Sequence, residues 1–358
     1  MKSLVVLLVC ALSASAEITI ALKVPVKGDT YQRVSFEART LGGPAFQAVN
    51  FTDEAGQVFL GCWDLAEGGD WKPYDRIFYV PPRAREMRVI FDPAGRCFGR
   101  NVIVREVSSG DYLAWHKSVL ETLPKTDFKV GGNPLAKASR TMDALRSGRP
   151  WRVVLLGDSI AGDTFNSGFE AMVKRRFPQS NVTWILSNRN ATGCWHYAQP
   201  ENFQAYVAAH RPDCLIIAGI SNWRKPEMNP TGGAAIEIVG RRAAAELGAE
   251  VIVMTPTLSY DLRPGTDAGQ PMDRMTFDPA QHGNPVLKYD VAAARELIAV
   301  CDRNGWPLLD MYAPVYSWLF ESGLPYRRLS RDGTHSNTLG KQVIAELVDA
   351  YLAAVDRK

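Results

Sequence analysis

Two short motifs of this 358-residue chain carry side chains that could act together in catalysis. The apolar run 152–156 ends on a Gly-Asp-Ser turn at 157–159, and Asp332 precedes His335 by three residues in a polar stretch near the end of the chain. A serine becomes a nucleophile at neutral pH when a base takes its proton, and histidine suits that role. A carboxylate beside the imidazole orients it and stabilises its charged form. These residue types therefore indicate acyl transfer through a covalent acyl-serine.

The elements that would position these motifs follow from the pattern of residues 151–358. Short apolar runs suit parallel strands that are buried on both faces, and they cover 153–156, 182–186, 214–218, 251–254 and 308–311. Stretches of helical spacing cover 164–177, 202–210, 234–247, 288–304 and 338–355. The alternation predicts a doubly wound α/β domain, whose ligand site lies at the carboxyl ends of the strands.

Four segments of this domain resemble, in the same order, sequence blocks of the SGNH (GDSL-like) hydrolases. Residues 157–160 are similar to the first block, 192–195 to the second, 219–222 to the third and 332–335 to the fifth. The resemblance covers the chain from about Arg152 to its end. It implies a flavodoxin-like catalytic domain with esterase activity, and we predict no cofactor.

The resemblance also implies roles for single residues. It implies that Ser159 is the nucleophile, His335 the base and Asp332 the residue that orients the base. In the second block it implies that the backbone N–H of Gly193 binds the oxyanion, together with the N–H of Ser159. Asp158 lies beside the nucleophile, and we expect it to fix the turn by hydrogen bonds.

The third block departs from the family pattern, which usually has asparagine second after the glycine. Here Ser221 holds that place and Asn222 follows it. Three alternatives stay open: Asn222 completes the oxyanion hole after a shift of the turn, Ser221 donates through its hydroxyl, or the amides of Ser159 and Gly193 suffice. We favour Asn222, because a carboxamide donates without giving up a proton that is needed elsewhere.

Other side chains near these blocks are candidates for the substrate pocket. Trp195, Tyr197 and Trp223 flank the second and third blocks, where aromatic faces suit a sugar ring and core packing explains them equally well. His196 follows Trp195 and could line the pocket. His196 and His282 are also alternative bases. Residues 259–285 follow the fourth strand, and they are either a lid that contacts substrate or a surface insertion.

Residues 17–110 have period-two patterning, which is typical of strands. Seven short strand-like runs, separated by turn clusters, predict an antiparallel β-sandwich domain. Four of its aromatic residues could contact carbohydrate or belong to the core, namely Trp63, Trp71, Tyr74 and Tyr79. We predict that residues 111–150 form a helical linker to the catalytic domain, residues 151–358.

Composition and charge exclude several classes of protein. The net charge is only +3, and the basic residues form no stripe of the kind that nucleic acid requires. Residues 1–16 have a short positive start, an apolar stretch far below the roughly 20 residues of a spanning helix, and small residues at their end. They predict a signal peptide that is cleaved after Ala16, hence a secreted or periplasmic protein with no membrane anchor.

Cysteine and histidine positions indicate no metal centre. The 5 histidines are scattered, and no cysteine pair has the close spacing of a zinc site. Removal of the signal peptide leaves five of the 6 cysteines. A Cys62–Cys97 disulfide and buried free thiols both stay open as interpretations.

These observations combine into one functional hypothesis. We predict an exported serine esterase that removes O-acetyl groups from an acetylated polysaccharide, because a sandwich domain and aromatic residues accompany the catalytic motifs. The alternatives are a lipid or aryl esterase and a non-catalytic glycan-binding protein. A lipase-like enzyme should carry a broad apolar lid, whereas residues 259–285 are rich in polar residues.

Overall fold

The computed structural model describes residues 22–43, 45–66, 68–92, 95–218, 229–257, 291–324, 328–331 and 334–355. The chain divides into two compact units between Thr122 and Leu123. This division falls within the predicted linker, residues 111–150. Within the described ranges, no helix is both long enough and apolar enough to cross a bilayer.

The first unit contains two antiparallel sheets. Its described strands are β1 Leu22–Pro25, β2 Thr30–Thr40, β3 Ala45–Thr52, β4 Val58–Ala66, β5 Lys72–Val80, β6 Glu86–Phe91 and β7 Cys97–Val107. One sheet has the strand order β1-β6-β3-β4, and the other has the order β5-β2-β7. The predicted antiparallel β region is therefore confirmed.

The core of this unit lies between its two sheets. Phe36 of β2 meets Phe91 of β6 edge to face at 5.2 Å between ring centroids, and Phe51 of β3 meets Phe78 of β5 at 6.3 Å. Each contact joins one sheet to the other. The alternating burial of β2 follows from its period-two sequence, because every second side chain points into this core.

Two of the aromatic residues proposed to contact carbohydrate, Tyr74 and Trp71, make contacts within the protein. Tyr74 stacks on Phe36 at 5.3 Å and 15°. The guanidinium carbons of Arg39 and Arg100 lie 5.0 and 4.3 Å from the ring centroid of Trp71. Cation–π contacts of this kind occupy an aromatic face that a sugar would need. Contact with carbohydrate through this unit stays a prediction.

A helix, α1 Ser109–Leu120, closes the first unit. It begins at a capping box, in which the Ser108 hydroxyl accepts the Asp111 N–H at 3.1 Å and the Asp111 carboxylate accepts the Ser108 N–H at 2.9 Å. These two bonds satisfy backbone N–H groups that the first turn of a helix leaves without partners. The capping box therefore explains why the chain changes from strand β7 to helix α1 at this point.

The second unit is built on a parallel sheet. Its described strands are β8 Pro150–Gly157, β9 Asn181–Asn188, β10 Cys214–Ala218, β11 Glu250–Met254 and β12 Leu308–Leu309, which lie in the order β12-β11-β10-β8-β9. Counted from β8, this is the order 2-1-3-4-5 of flavodoxin-like folds, which change direction between the first and third strands. The predicted doubly wound α/β class is confirmed, and β8 lies at the switch point.

Helices connect these strands. They are α2 Ser139–Ser147, α3 Ser159–Phe165, α4 Phe169–Arg176, α5 Cys194–Tyr197, α6 Pro200–Tyr206, α7 Gly232–Leu247, α8 Val291–Asn304, α9 Ala313–Ser322 and α10 Thr338–Val355. The predicted helix 164–177 is two helices, because Gly168 adopts φ 75° and breaks the chain direction there. The sequence prediction also missed α9.

The described cysteines are buried free thiols, and they are Cys62, Cys97, Cys194, Cys214 and Cys301. Of the two interpretations left open by the sequence, the structure therefore has the free thiols and no Cys62–Cys97 bond. Both units bury enough apolar side chains to form cores without covalent links.

Candidate active site

Ser159 lies where the buried strand β8 ends and α3 begins. Asp158 is the N-cap residue of α3, and its fully buried carboxylate accepts the N–H of Ile160 at 2.9 Å. An N-cap carboxylate satisfies one of the open donors of the first turn. Asp158 therefore fixes the turn that presents Ser159, as expected from the sequence.

Gly157 allows the nucleophile strand to pack closely against its neighbours. A Cβ at this position would lie 2.2 Å from the backbone oxygen of Ala218 on β10 and 2.5 Å from the Cβ of Ala161 on α3. Real side chains do not tolerate such distances. Glycine is therefore required for β8, β10 and α3 to meet beside Ser159.

The variant Gly157→Ala is expected to lower the free energy of unfolding by about 1–3 kcal/mol, because the added methyl group overpacks this contact. Urea denaturation of the whole chain measures the change. Gly162→Ala in the same helix is the matched control, since its Cβ would meet only the Asn188 side chain, at an ordinary 3.5 Å. An equal loss of stability in the two variants would contradict the packing argument.

His335 is the base candidate that reaches the nucleophile. Its Nε2 lies 2.8 Å from the Oγ of Ser159, which is hydrogen-bond distance for proton transfer. Both side chains are half-buried, so the serine stays accessible from solvent. The fold thus brings together two residues that are 176 positions apart in sequence.

The backbone around His335 is held by short-range bonds. The N–H of Arg331 donates to the carbonyl of His335 at 2.9 Å, and Ser330 Oγ donates to the same carbonyl at 3.1 Å. The N–H of Asn337 donates to Leu329 O at 2.9 Å. We call residues 328–331 and 334–337 the histidine loop. These hydrogen bonds fix the backbone on both sides of His335 within the loop.

The second block adjoins the end of β8. Gly193 precedes α5 in an extended conformation, and Tyr197 at the other end of α5 is fully buried. The Tyr197 hydroxyl donates to Gly157 O at 2.6 Å and accepts the N–H of Arg189 at 2.9 Å. Burial raises the pKa of Tyr197, so the hydroxyl keeps the proton that it donates. The sequence indicated Tyr197 only as an aromatic residue that flanks the second block, whereas the structure shows that it ties the segment after Gly193 to the nucleophile strand.

His196 occupies a different environment from His335. Its Nε2 lies 3.3 Å from Arg189 Nη1, and its Nδ1 lies 3.1 Å from Asn202 Nδ2. Burial and then the positive charge of Arg189 lower its pKa. The structure therefore places His335, rather than His196, in contact with Ser159. Trp195 packs edge to face with His196 at 6.0 Å.

Several predicted site residues lie outside the described part of the chain. They are Asp332, Ser221, Asn222, Trp223 and His282, together with the whole of the predicted segment 259–285. Their roles stay predictions, and so do the substrate contacts of Trp195 and His196. Among the described residues, no group of three or more His, Cys, Asp or Glu side chains could hold a metal ion.

One carboxylate near the site was missed by the sequence analysis. Asp163 follows Ser159 by one helical turn on α3, and it contacts the histidine loop through Arg331 and Ser336. The only sequence signal is this four-residue spacing, which becomes informative once α3 is known to begin at Ser159.

Comparison with known proteins gives matches among solved structures. No protein-family model matches the chain, and no curated protein does. A two-domain esterase active on acetylated mannans matches with 16% identity and a TM-score of 0.46, covering 63% of this chain and 54% of that one. This chain thus spans about half the length of that esterase.

Two further matches cover nearly the whole of the matched chains. A catalytic mutant of Axe2, an acetylxylan esterase from Geobacillus stearothermophilus, has 13% identity and a TM-score of 0.43, covering 57% of this chain and 94% of that one. A GDSL-like lipase from Parabacteroides merdae has 11% identity and a TM-score of 0.39, covering 57% of this chain and 96% of that one. The matched proteins thus include a GDSL-like lipase, the class whose sequence blocks this chain resembles.

Proposed function

We propose that this protein is a secreted serine esterase that removes O-acetyl groups from a polysaccharide through an acyl-serine intermediate. The observation that carries the proposal is the 2.8 Å contact between His335 Nε2 and Ser159 Oγ at the carboxyl end of β8. A nucleophile and a base at this distance are the minimum needed for acyl transfer. Their position at the switch point of a doubly wound sheet is where such folds bind ligands.

The proposed reaction has two halves. In the first, Ser159 Oγ attacks the acetyl carbonyl carbon while His335 Nε2 takes the hydroxyl proton. The same imidazolium then gives the proton to the leaving sugar oxygen, which leaves an acetyl-serine. In the second half, His335 takes a proton from water, the resulting hydroxide attacks the acyl carbon, and acetate leaves as Ser159 regains its proton.

The tetrahedral intermediates of both halves carry a negative charge on oxygen. Hydrogen-bond donors that are fixed before the reaction stabilise that charge most effectively. The backbone N–H groups of Ser159 and Gly193 are the proposed donors, since one opens α3 and the other precedes α5, whose Tyr197 is bonded to Gly157. Asp332 is proposed to stabilise the imidazolium, and Trp195, His196 and Trp223 to line the sugar site.

A panel of acetylated polysaccharides, with acetate release as the readout, tests the substrate class. Acetylated mannan and acetylated xylan belong in the panel, together with 4-nitrophenyl esters of acetate and of a long-chain acid. We expect acetate release that disappears in Ser159→Ala. Turnover of long-chain esters without release from any polysaccharide would instead favour a lipid esterase, and binding of glycan without turnover of any ester would favour a glycan-binding protein.

The third oxyanion donor is tested by a pair of neighbouring substitutions. Asn222→Ala is expected to lower kcat by about 10²-fold with little change in KM, because the bond to the oxyanion forms mainly in the transition state. Ser221→Ala should cost less than about tenfold on the same account. Steady-state kinetics with 4-nitrophenyl acetate separates the alternatives. The opposite ranking would assign the role to Ser221, and two mild effects would leave it to the backbone amides.

A further inference from the structure

Asp163 is a buried carboxylate on the nucleophile helix that the reaction described above does not use. It lies four residues after Ser159 on α3, which is the spacing that places two side chains on one face of a helix. Its Oδ2 accepts the backbone N–H of Ser336 at 2.9 Å, and its Oδ1 accepts Arg331 Nη1 at 2.9 Å. Both partners belong to the histidine loop, and Ser336 directly follows His335.

The carboxylate of Asp163 is surrounded by charged side chains that are almost fully buried. The side chains of Arg331 and Asp163 are 2% and 4% exposed, and Lys341 of α10, at 6%, has its Nζ 3.6 Å from Asp163 Oδ1. Arg331 Nη1 also donates to Ser336 O. Buried charges are costly unless they are paired and hydrogen-bonded, so removal of the one carboxylate leaves two buried cations with lost contacts.

Helix α3 therefore contacts the histidine loop at two points. Ser159 meets the imidazole of His335, and Asp163 meets the backbone of the next residue, Ser336. One contact alone leaves the loop free to turn about it, whereas two contacts on the same helix face define a position and an orientation. A displacement of 1 Å between reacting groups can cost about 10²-fold in rate.

We infer that Asp163 is a positioning residue that holds the histidine loop against the nucleophile helix, so that His335 Nε2 stays within hydrogen-bond distance of Ser159. The inference rests on the proposed serine-esterase function. Asp163 acts through the backbone at Ser336 and through Arg331, and it takes no part in proton transfer itself. Its loss should therefore slow the chemical step and leave binding of small substrates unchanged.

Kinetics of three variants test this role. Asp163→Ala is expected to lower kcat for 4-nitrophenyl acetate about 10²-fold with KM within about twofold of the wild type. Asp163→Asn should lower kcat less, by about tenfold, because the amide oxygen keeps one of the two acceptor contacts. The matched control is Asp310→Asn, whose carboxylate accepts the backbone N–H groups of Tyr312 and Ala313 at 2.9 and 3.0 Å in another loop. The control should keep kcat within about twofold of the wild type.

The position of the imidazole is measured directly by NMR of ¹⁵N-histidine-labelled protein, which contains only 5 histidines. The His335 ring signals, assigned with His335→Gln, should shift or broaden in Asp163→Asn and stay unchanged in Asp310→Asn. A purely structural role would lower the melting temperature in both variants without this difference. If Asp163→Ala does not fold, Arg331→Gln provides the same test, since it removes the Nη1 bonds to Asp163 and Ser336.

The rate at which a fluorophosphonate labels Ser159 distinguishes a failure of the proposed esterase function from a failure of the positioning role of Asp163. If the wild-type chain is labelled and labelling is at least about tenfold slower in the Asp163 variants, the result supports both the esterase function and the positioning role. A labelled wild type with folded Asp163 variants that react at the wild-type rate would overturn the positioning role alone. A wild-type chain that takes no label would overturn the proposed function and, with it, the role given to Asp163.

Discussion

Ser159→Ala is expected to lower kcat for 4-nitrophenyl acetate by on the order of 10⁴-fold or more while the chain stays folded. The substitution removes the only atom that forms the acyl-enzyme bond in the proposed reaction. His335 loses its 2.8 Å partner at the same time, so the imidazole has no hydroxyl to activate. Steady-state hydrolysis measures the loss, and circular dichroism together with urea denaturation checks the fold.

Ser147→Ala is the matched control for that experiment. Ser147 is an exposed serine at the end of α2, and its Oγ makes two long backbone contacts: it donates to Ala144 O at 3.5 Å and accepts the N–H of Arg149 at 3.4 Å. Its removal should leave kcat unchanged. If Ser159→Ala keeps more than a few per cent of the wild-type rate, the nucleophile has been assigned wrongly.

His335→Ala is expected to match Ser159→Ala in severity, because the two residues act as one unit and their effects do not add. The double variant should therefore be no slower than either single variant. The same assay measures all three. Asp332→Asn should also lower kcat, since its proposed role is to orient the imidazole and to stabilise its charged form.

His196, the alternative base, provides the control for the His335→Ala experiment. His196 lies against Arg189 and Asn202, so His196→Ala should retain the contact between Ser159 and His335. A loss in His196→Ala or His282→Ala that equals the loss in His335→Ala would show that another histidine is the base.

The sequence was informative wherever local pattern and topology agree. Period-two runs located the strands of the first unit, and continuous apolar runs located β8 to β11, since a strand buried on both faces needs apolar residues throughout. The contact between Ser159 and His335 follows from the same reasoning. A residue after a parallel strand and a residue before the closing helix reach one edge of the sheet.

Features that depend on the folded environment were missed. The helical pattern was expected to begin at residue 164, whereas α3 begins at Ser159, so Asp163 lay outside the predicted helix and its position on the same helix face as Ser159 was not considered. The capping carboxylate of Asp158 starts the helix early, and nothing in the spacing of apolar residues reveals that. Tyr197 was grouped with the aromatic candidates for the sugar site, although its hydroxyl donates a hydrogen bond to the backbone oxygen of Gly157.

The buried thiols of the two units have a practical consequence for studies of folding. Burial raises the pKa of Cys97 to about 11 and that of Cys214 to about 12, so neither forms the reactive thiolate in the folded state at neutral pH. Cys97 belongs to β7 and Cys214 to β10, which lie in different units. An alkylating reagent can therefore modify each thiol only when its own sheet opens. Mass spectrometry of the two peptides during labelling would report the local opening of each unit separately, without any introduced probe.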